Sequence, residues 1–274
     1  MGIIIGGNTL SGINFNTLGE TPKTPNVVTD GLVLWLDAGN FSSYINSNNY
    51  YDCGYGCQYY SSNPGCTSCN SQWKDMSGNG NDGVPTNGPV IGYNSNGGSM
   101  VFDGVNDYFN IPSFINKPSG QITCDAWIYP TKPTISGTIR GGVVSATSNM
   151  YLGIIDSIDG GVTFALHWAN NTNNGTQRPG SFHGSVPNNA WSYITGTYDG
   201  STSRAYVNGV EVFSASQTGT VPDSTYVIGT YGPNLTDGVH NFNGRIAVAR
   251  VYDRGLSAAE VLQNFNNGRQ RFGI

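Results

Sequence analysis

Four of the five cysteines crowd into one short stretch, as Cys53-x3-Cys57-x8-Cys66-x2-Cys69. Two close pairs with a short spacer can set four thiolates tetrahedrally around zinc. The same side chains can close two disulfides, in any of three connectivities, or stay as free thiols. Tyr, Asn, Gly and Ser fill the surrounding residues, so the stretch has little to bury and its order calls for a metal or covalent staple. The fifth cysteine, Cys124, falls on the apolar side of an alternating segment and is expected to be a buried free thiol.

Oxygen ligands cluster in Asp103-Gly-Val-Asn106-Asp107, with Asp253 as a further donor. Hard cations take carboxylates and backbone carbonyls, so calcium is the candidate here. The competing reading makes these residues turn formers whose side chains bond their own backbone. Sugar binding needs aromatic faces beside polar groups. Trp127, Tyr129, His167, Trp168, Tyr193 and Tyr198 are the candidates, with residues 167–175 as a rim loop. Against this stands the usual place of aromatic residues in a β-protein, its core, where Trp191 is expected. Glycoside hydrolysis calls for two carboxylates flanking the bond. Glu20, Glu211 and Glu260 are far apart in sequence, and no G-x-S-x-G, H-E-x-x-H or P-loop motif is present. The chain reads as a non-enzyme. Gly78 to Gly83 matches G-x-G-x-x-G, but Val84-Pro85 follows where a dinucleotide site needs a helix, so the match is a Gly/Asn turn.

The elements that must position these residues are strands. Charged residues make up 11% of the 274 residues, with 39 glycines and 12% aromatics, against about 25% charged in an average domain. The net charge of −5 with no basic run excludes a counterion-displacing nucleic-acid footprint and disfavours anionic membranes. No apolar run is long enough for a membrane-spanning helix. The N-terminus has no basic region before its short apolar stretch, so no export signal is expected. Short apolar runs at 31–37, 99–104, 121–130, 141–146, 151–156, 161–168, 190–200, 225–230 and 245–253 alternate with turn residues. In 121–129, Ile122, Cys124, Ala126 and Ile128 share one face, and Thr123, Asp125, Trp127 and Tyr129 the other. Asn208-Gly209 predicts a type I′ hairpin. Ser257 and Glu260 form a capping box that starts a short helix, with Gly268 as its expected stop, packed outside the sheets. The pattern predicts two stacked antiparallel sheets. Residues 1–30, with Ile3, Ile4 and Ile5 as an apolar tip, read as an extended arm.

The order of local motifs resembles a known family. GLVLWLDAGN, WKDMSGNGNDG (73–83) and GGSMVFDGVNDYFNIP (97–112) come first. ITCDAWIYP, WSYITGTYDGSTSRAYVNGVEV (191–212) and FNGRIAVARVYDRGLSAAEV (242–261) follow. The series is similar to the laminin-G-like, concanavalin A-like jelly-roll domains, and most like those in virion structural proteins of tailed bacteriophages. The resemblance implies an all-β jelly-roll sandwich over 31–268, followed by a tail at 269–274. Two features depart from the family pattern, the N-terminal arm at 1–30 and a Cys-rich loop insertion at 41–72. The resemblance also implies a calcium at the sheet rim. Glucanases of this fold carry paired Glu on one strand, a motif missing here. The implied function is a non-enzymatic virion protein on the particle exterior, a capsid decoration protein or a head or tail fibre component. Its arm would add to a neighbouring virion protein's sheet edge, copies would form a homo-oligomer, and its loops would face host glycans. The other reading is a carbohydrate-binding lectin module with no tie to a virion.

Overall fold

The computed structural model describes residues 26–40, 43, 72–94, 97–131, 140–146, 150–155, 161–166, 184–216, 221, 223–231 and 240–274, with the pairs 4–5 and 8–9. The cysteines Cys53, Cys57, Cys66 and Cys69, together with Ile3, His167 and Trp168, lie outside them. In chain order the strands are β1 (Ile4–Ile5), β2 (Asn8–Thr9), β3 (Leu32–Asp37), β4 (Val84–Thr86), β5 (Val90–Asn94), β6 (Gly97–Asp103), β7 (Tyr108–Ile111) and β8 (Ile122–Pro130). They continue as β9 (Arg140–Ala146), β10 (Met150–Ile155), β11 (Gly161–Leu166), β12 (Ser192–Tyr198), β13 (Thr202–Val207), β14 (Val210–Ser216), β15 (Tyr226–Ile228) and β16 (Asn243–Tyr252). One helix, α1 (Ala258–Phe272), closes the order.

Two antiparallel sheets stack face to face. The larger runs β14-β13-β12-β8-β16-β6-β5, with β3 also paired to β16. The smaller runs β11-β10-β9-β15-β7-β4. Sequential hairpins lie at the sheet edges, whereas the central neighbours β12-β8, β8-β16 and β16-β6, and β9-β15 and β15-β7, are far apart in sequence, as in a jelly roll. The core between the sheets takes Ile122, Cys124, Ala126 and Ile128 of β8, and Ile194 and Tyr198 of β12. Cys124 is a buried free thiol, as its alternation predicted. Phe102 meets Phe109 and Phe242 edge-on at 6.1 Å each, and Trp73 leans on Phe109 at 5.2 Å. Asn208 and Gly209 turn the β13–β14 hairpin with φ of 52° and 77°, the positive pair a type I′ turn needs. β4, β5 and β7 are short strands that the sequence reading passed over.

The Gly/Asn turn after Trp73 has a structural task. β3 pairs with β16 on one side only, which leaves the backbone of Val33 and Trp35 facing outward. Asp75 Oδ1 accepts from Trp35 N at 2.9 Å, and Met76 N donates to Trp35 O at 2.8 Å. Ser77 Oγ and Asn81 Nδ2 donate to Val33 O at 3.2 and 2.7 Å. Asn79 Nδ2 donates to Leu32 O at 3.3 Å. Side chains of one loop thus satisfy a sheet edge that would otherwise stay open.

Helix α1 starts as predicted. Ser257 accepts from Glu260 N while Glu260 returns a bond to Ser257 N. Its end corrects the expectation. Gly268 is not the stop but lies inside the helix, where a Cβ would come within 2.5 Å of the Trp127 indole nitrogen. Gly273, at φ 74°, is the C-cap. Phe272 is therefore helical, and it stacks on Trp127 at 4.2 Å. The sandwich also begins before residue 31: Val28 is buried, and its N–H donates to Asn264 Oδ1 at 2.9 Å.

Candidate functional site

The outer face of the larger sheet holds most of the chemistry-bearing side chains, and α1 covers its middle. Trp127 is 1% exposed, packed between Phe272, Phe265 at 5.8 Å and Tyr193 at 5.2 Å. Tyr193 is likewise fully buried, and Tyr198 points to the opposite face, into the core between the sheets. These placements correct the expectation that Trp127, Tyr193 and Tyr198 offer sugar platforms. The alternation put Trp127 on the face away from the apolar residues of β8 correctly, but α1 occupies that face.

Beneath α1 lies a polar network that sequence reasoning missed. Asp125, fully buried, accepts from Arg250 Nε at 2.7 Å and from Tyr193 Oη at 2.8 Å. Asn264 Nδ2 reaches Asp125 at 3.3 Å and Tyr252 Oη at 2.9 Å. Burial pushes the Asp125 carboxyl above its ordinary range, against the opposing pull of Arg250, Tyr193 and Asn264. The register pairs Arg250 with Asp125 across β16 and β8. In sequence the two are too far apart for any motif to link them. The group ties three strands, α1 and residue 28 together.

The four calcium candidates do not converge. Asp103 pairs with Asn243 at the start of β16, whereas Asp253 follows the strand's other end, about 30 Å away at strand rise. This corrects Asp253 as a partner of the Asp103 turn. Within that turn, Asp103 Oδ1 accepts from Val105 N at 2.7 Å and Asn106 N at 3.3 Å, and Asp107 Oδ2 accepts from Asp103 N at 3.0 Å. The contacts are those of turn formers. Burial, with the Asp103 carboxyl beside it, raises the Asp107 pKa to about 6. Among the described residues no group of three or more His, Cys, Asp or Glu side chains could hold a metal.

The described glutamates are engaged structurally. Glu260 caps α1 and pairs with Arg254 at 2.7 Å, which lowers its pKa to about 2. Glu211 accepts from Tyr206 Oη at 3.3 Å and faces Arg204 at 4.0 Å. Ile4 and Ile5 of the arm form β1, paired with β2.

Just past the C-terminal end of α1, the outer face opens. Tyr129 is partly exposed there, with its ring edge-on to Trp191 at 5.5 Å. Trp191 is buried against Phe272 at 4.6 Å. The register sets Tyr129 of β8 opposite Arg245 of β16, Arg245 opposite Val101 of β6, and Val101 opposite Val90 of β5. Four strands thus present one continuous row, which ends on Val90 at 58% exposure. Of the described aromatic candidates, Tyr129 alone remains partly open. Arg245 was missed because only the pairing of distant strands brings it beside Tyr129.

A family model described as Concanavalin A-like lectin/glucanases superfamily, laminin-G type, matches residues 102–262, which run from β6 into α1. The chain belongs to that superfamily. Among solved structures, this concanavalin A-like domain is similar to domain 4 of AbnA, a GH43 extracellular arabinanase from Geobacillus stearothermophilus, in complex with arabinotriose. That match has a TM-score of 0.52 and 20% identity, over 70% of this chain and 91% of that one. It is similar to the binding domain of Paraclostridial Mosquitocidal Protein 1, with a TM-score of 0.58 and 19% identity, over 86% of this chain and 52% of that one. It is also similar to the Trypanosoma rangeli sialidase, with a TM-score of 0.55 and 16% identity, over 88% of this chain and 33% of that one. The domain thus spans nearly all of the arabinanase domain, about half of the mosquitocidal chain and a third of the sialidase. At these identities the likeness is one of fold. No curated protein matches the sequence.

Proposed function

We propose that this concanavalin A-like domain is a non-catalytic module that binds glycans through the open row at Tyr129. We place it on the exterior of a bacteriophage particle, as a decoration protein or a head or tail fibre component. The observation that carries the glycan reading is the partly exposed Tyr129, braced by Trp191 beside the end of α1. An aromatic ring held rigidly at an open sheet face suits a sugar ring's apolar side. Binding in other members of the fold supports it: the arabinanase domain is in complex with arabinotriose, and the mosquitocidal domain is a binding domain. A binding role without turnover is supported by the carboxylates. Asp125 is sealed under α1, Glu211 and Glu260 are paired, and the row itself carries no carboxylate, whereas hydrolysis needs two flanking the bond.

The virion placement rests on the resemblance of the ordered motifs to phage structural proteins. A glycan array probed with the full chain tests the binding reading. Retention on a glycan set is expected, lost in Tyr129→Ala although that variant still folds with a cooperative melt. Binding to no glycan overturns it, and release of a cleaved product overturns the non-catalytic reading. Quantitative mass spectrometry of purified particles tests the placement. Absence from particles, with glycan binding intact, leaves a lectin module with no tie to a virion.

A further inference from the structure

Of the lysines and arginines whose side chains are described, all but Arg245 have an acceptor. Lys74, Lys117, Arg204, Arg250, Arg254 and Arg271 each sit on a carboxylate, and Arg269 Nε donates to the carbonyl of Ile274. Arg245 has no such partner among the described residues. Its guanidinium has a defined seat nonetheless. It lies over Gly92 of β5, where a Cβ would come within 2.5 Å of Nη1, and beside Val101. The missing side chain at Gly92 thus makes room for the charged head, while the row's register fixes its stem opposite Tyr129.

We infer that the row takes a carboxylated oligosaccharide, with Arg245 holding the carboxylate and Tyr129 supporting a neighbouring sugar ring. The inference rests on the glycan-binding reading above and names its ligand class. A guanidinium presents a planar fork of donors that matches a carboxylate with two parallel bonds. Three strand spacings separate β8 from β5, about 14 Å, the reach of an oligosaccharide rather than of one ring. A single unpaired guanidinium in this row, on a chain of net charge −5, suits a ligand with isolated anionic groups. A polyanion such as a nucleic acid needs many cations at once. Val101 and Val90 extend the row with apolar surface that suits the uncharged stretches between those groups.

Calorimetric titration of the full chain with two matched pairs tests this: trigalacturonate with its methyl ester, and sialyllactose with lactose. At least one acidic member is expected to bind about tenfold or more tighter than its neutral match, with the advantage shrinking as salt rises. Arg245→Gln should erase that advantage, so that the two members of a pair bind that variant equally, and Tyr129→Ala should weaken both members. Equal affinity within each pair, or an acidic preference that survives Arg245→Gln, overturns the inference and leaves the glycan reading standing. Binding of neither member of either pair, together with Arg245-dependent capture of a polyglutamate peptide, overturns both.

Discussion

Asp107 shows how one side chain can be legible in type and opaque in role. Its place in an Asp/Asn turn was readable, because such residues bond their own backbone. Its burial was not, because β7 and the sheet rim around it come from distant parts of the chain. With the folded pKa raised from 3.8 to about 6, the folded state holds the proton more tightly than the unfolded chain. The stabilisation is complete below about pH 4 and is lost as pH climbs through 6. Asp107→Asn keeps an acceptor for Asp103 N and removes the charge. Thermal melts should show the variant several degrees more stable at pH 7, with the wild-type decline between pH 4 and 6 gone. Calcium at this turn is proposed by the family resemblance. A bound cation would favour the ionised form and raise the wild-type melting temperature at pH 7 more than at pH 5; an unmoved melting temperature would instead fit the backbone-bonded turn.

At the scale of elements, α1 was half legible. Its start is written locally, in the Ser257–Glu260 exchange of bonds. Its end is not, because Gly268 answers to Trp127 across a gap in sequence rather than to the helix. Gly268→Ala tests this. Helix propensity alone would make the change stabilising by about 1 kcal/mol. The indole contact makes it an overpacking substitution, with a cost of about 1–3 kcal/mol. Net destabilisation in urea is expected, and a gain in stability would show that Trp127 does not bear on this position. The same helix explains why the outward faces of β8 and β12 misled. Alternation tells two faces apart, but it does not tell a solvated face from one under a lid. The hairpin at Asn208-Gly209 was readable because its backbone demand is met by those two residues alone. β5, with Gly92 in its middle, was not, because that glycine serves Arg245 on another strand.

At the scale of the whole molecule, the two-layer architecture followed from the strand rhythm, and the motif order located it between the early thirties and the C-terminal helix. The structure shows the sandwich taking in Val28 before the first of these motifs and Phe272 after the last. A chain that lacks residues 1–25 keeps the ties at Asn26 and Val28 and is expected to fold. If the segment is the anchor to a particle, the truncated chain should be missing from purified virions. Normal incorporation would move the anchor to the sandwich itself.

The loop that seats Asp75, Ser77, Asn79 and Asn81 along β3 has a consequence for crowded chains. Bare strand rims act as templates, and at high local concentration one rim recruits the next copy without limit. Here the outer rim of β3 is occupied by a loop of its own polypeptide and offers no seed. Growth by strand addition is barred at that rim, so copies that meet along β3 stay discrete.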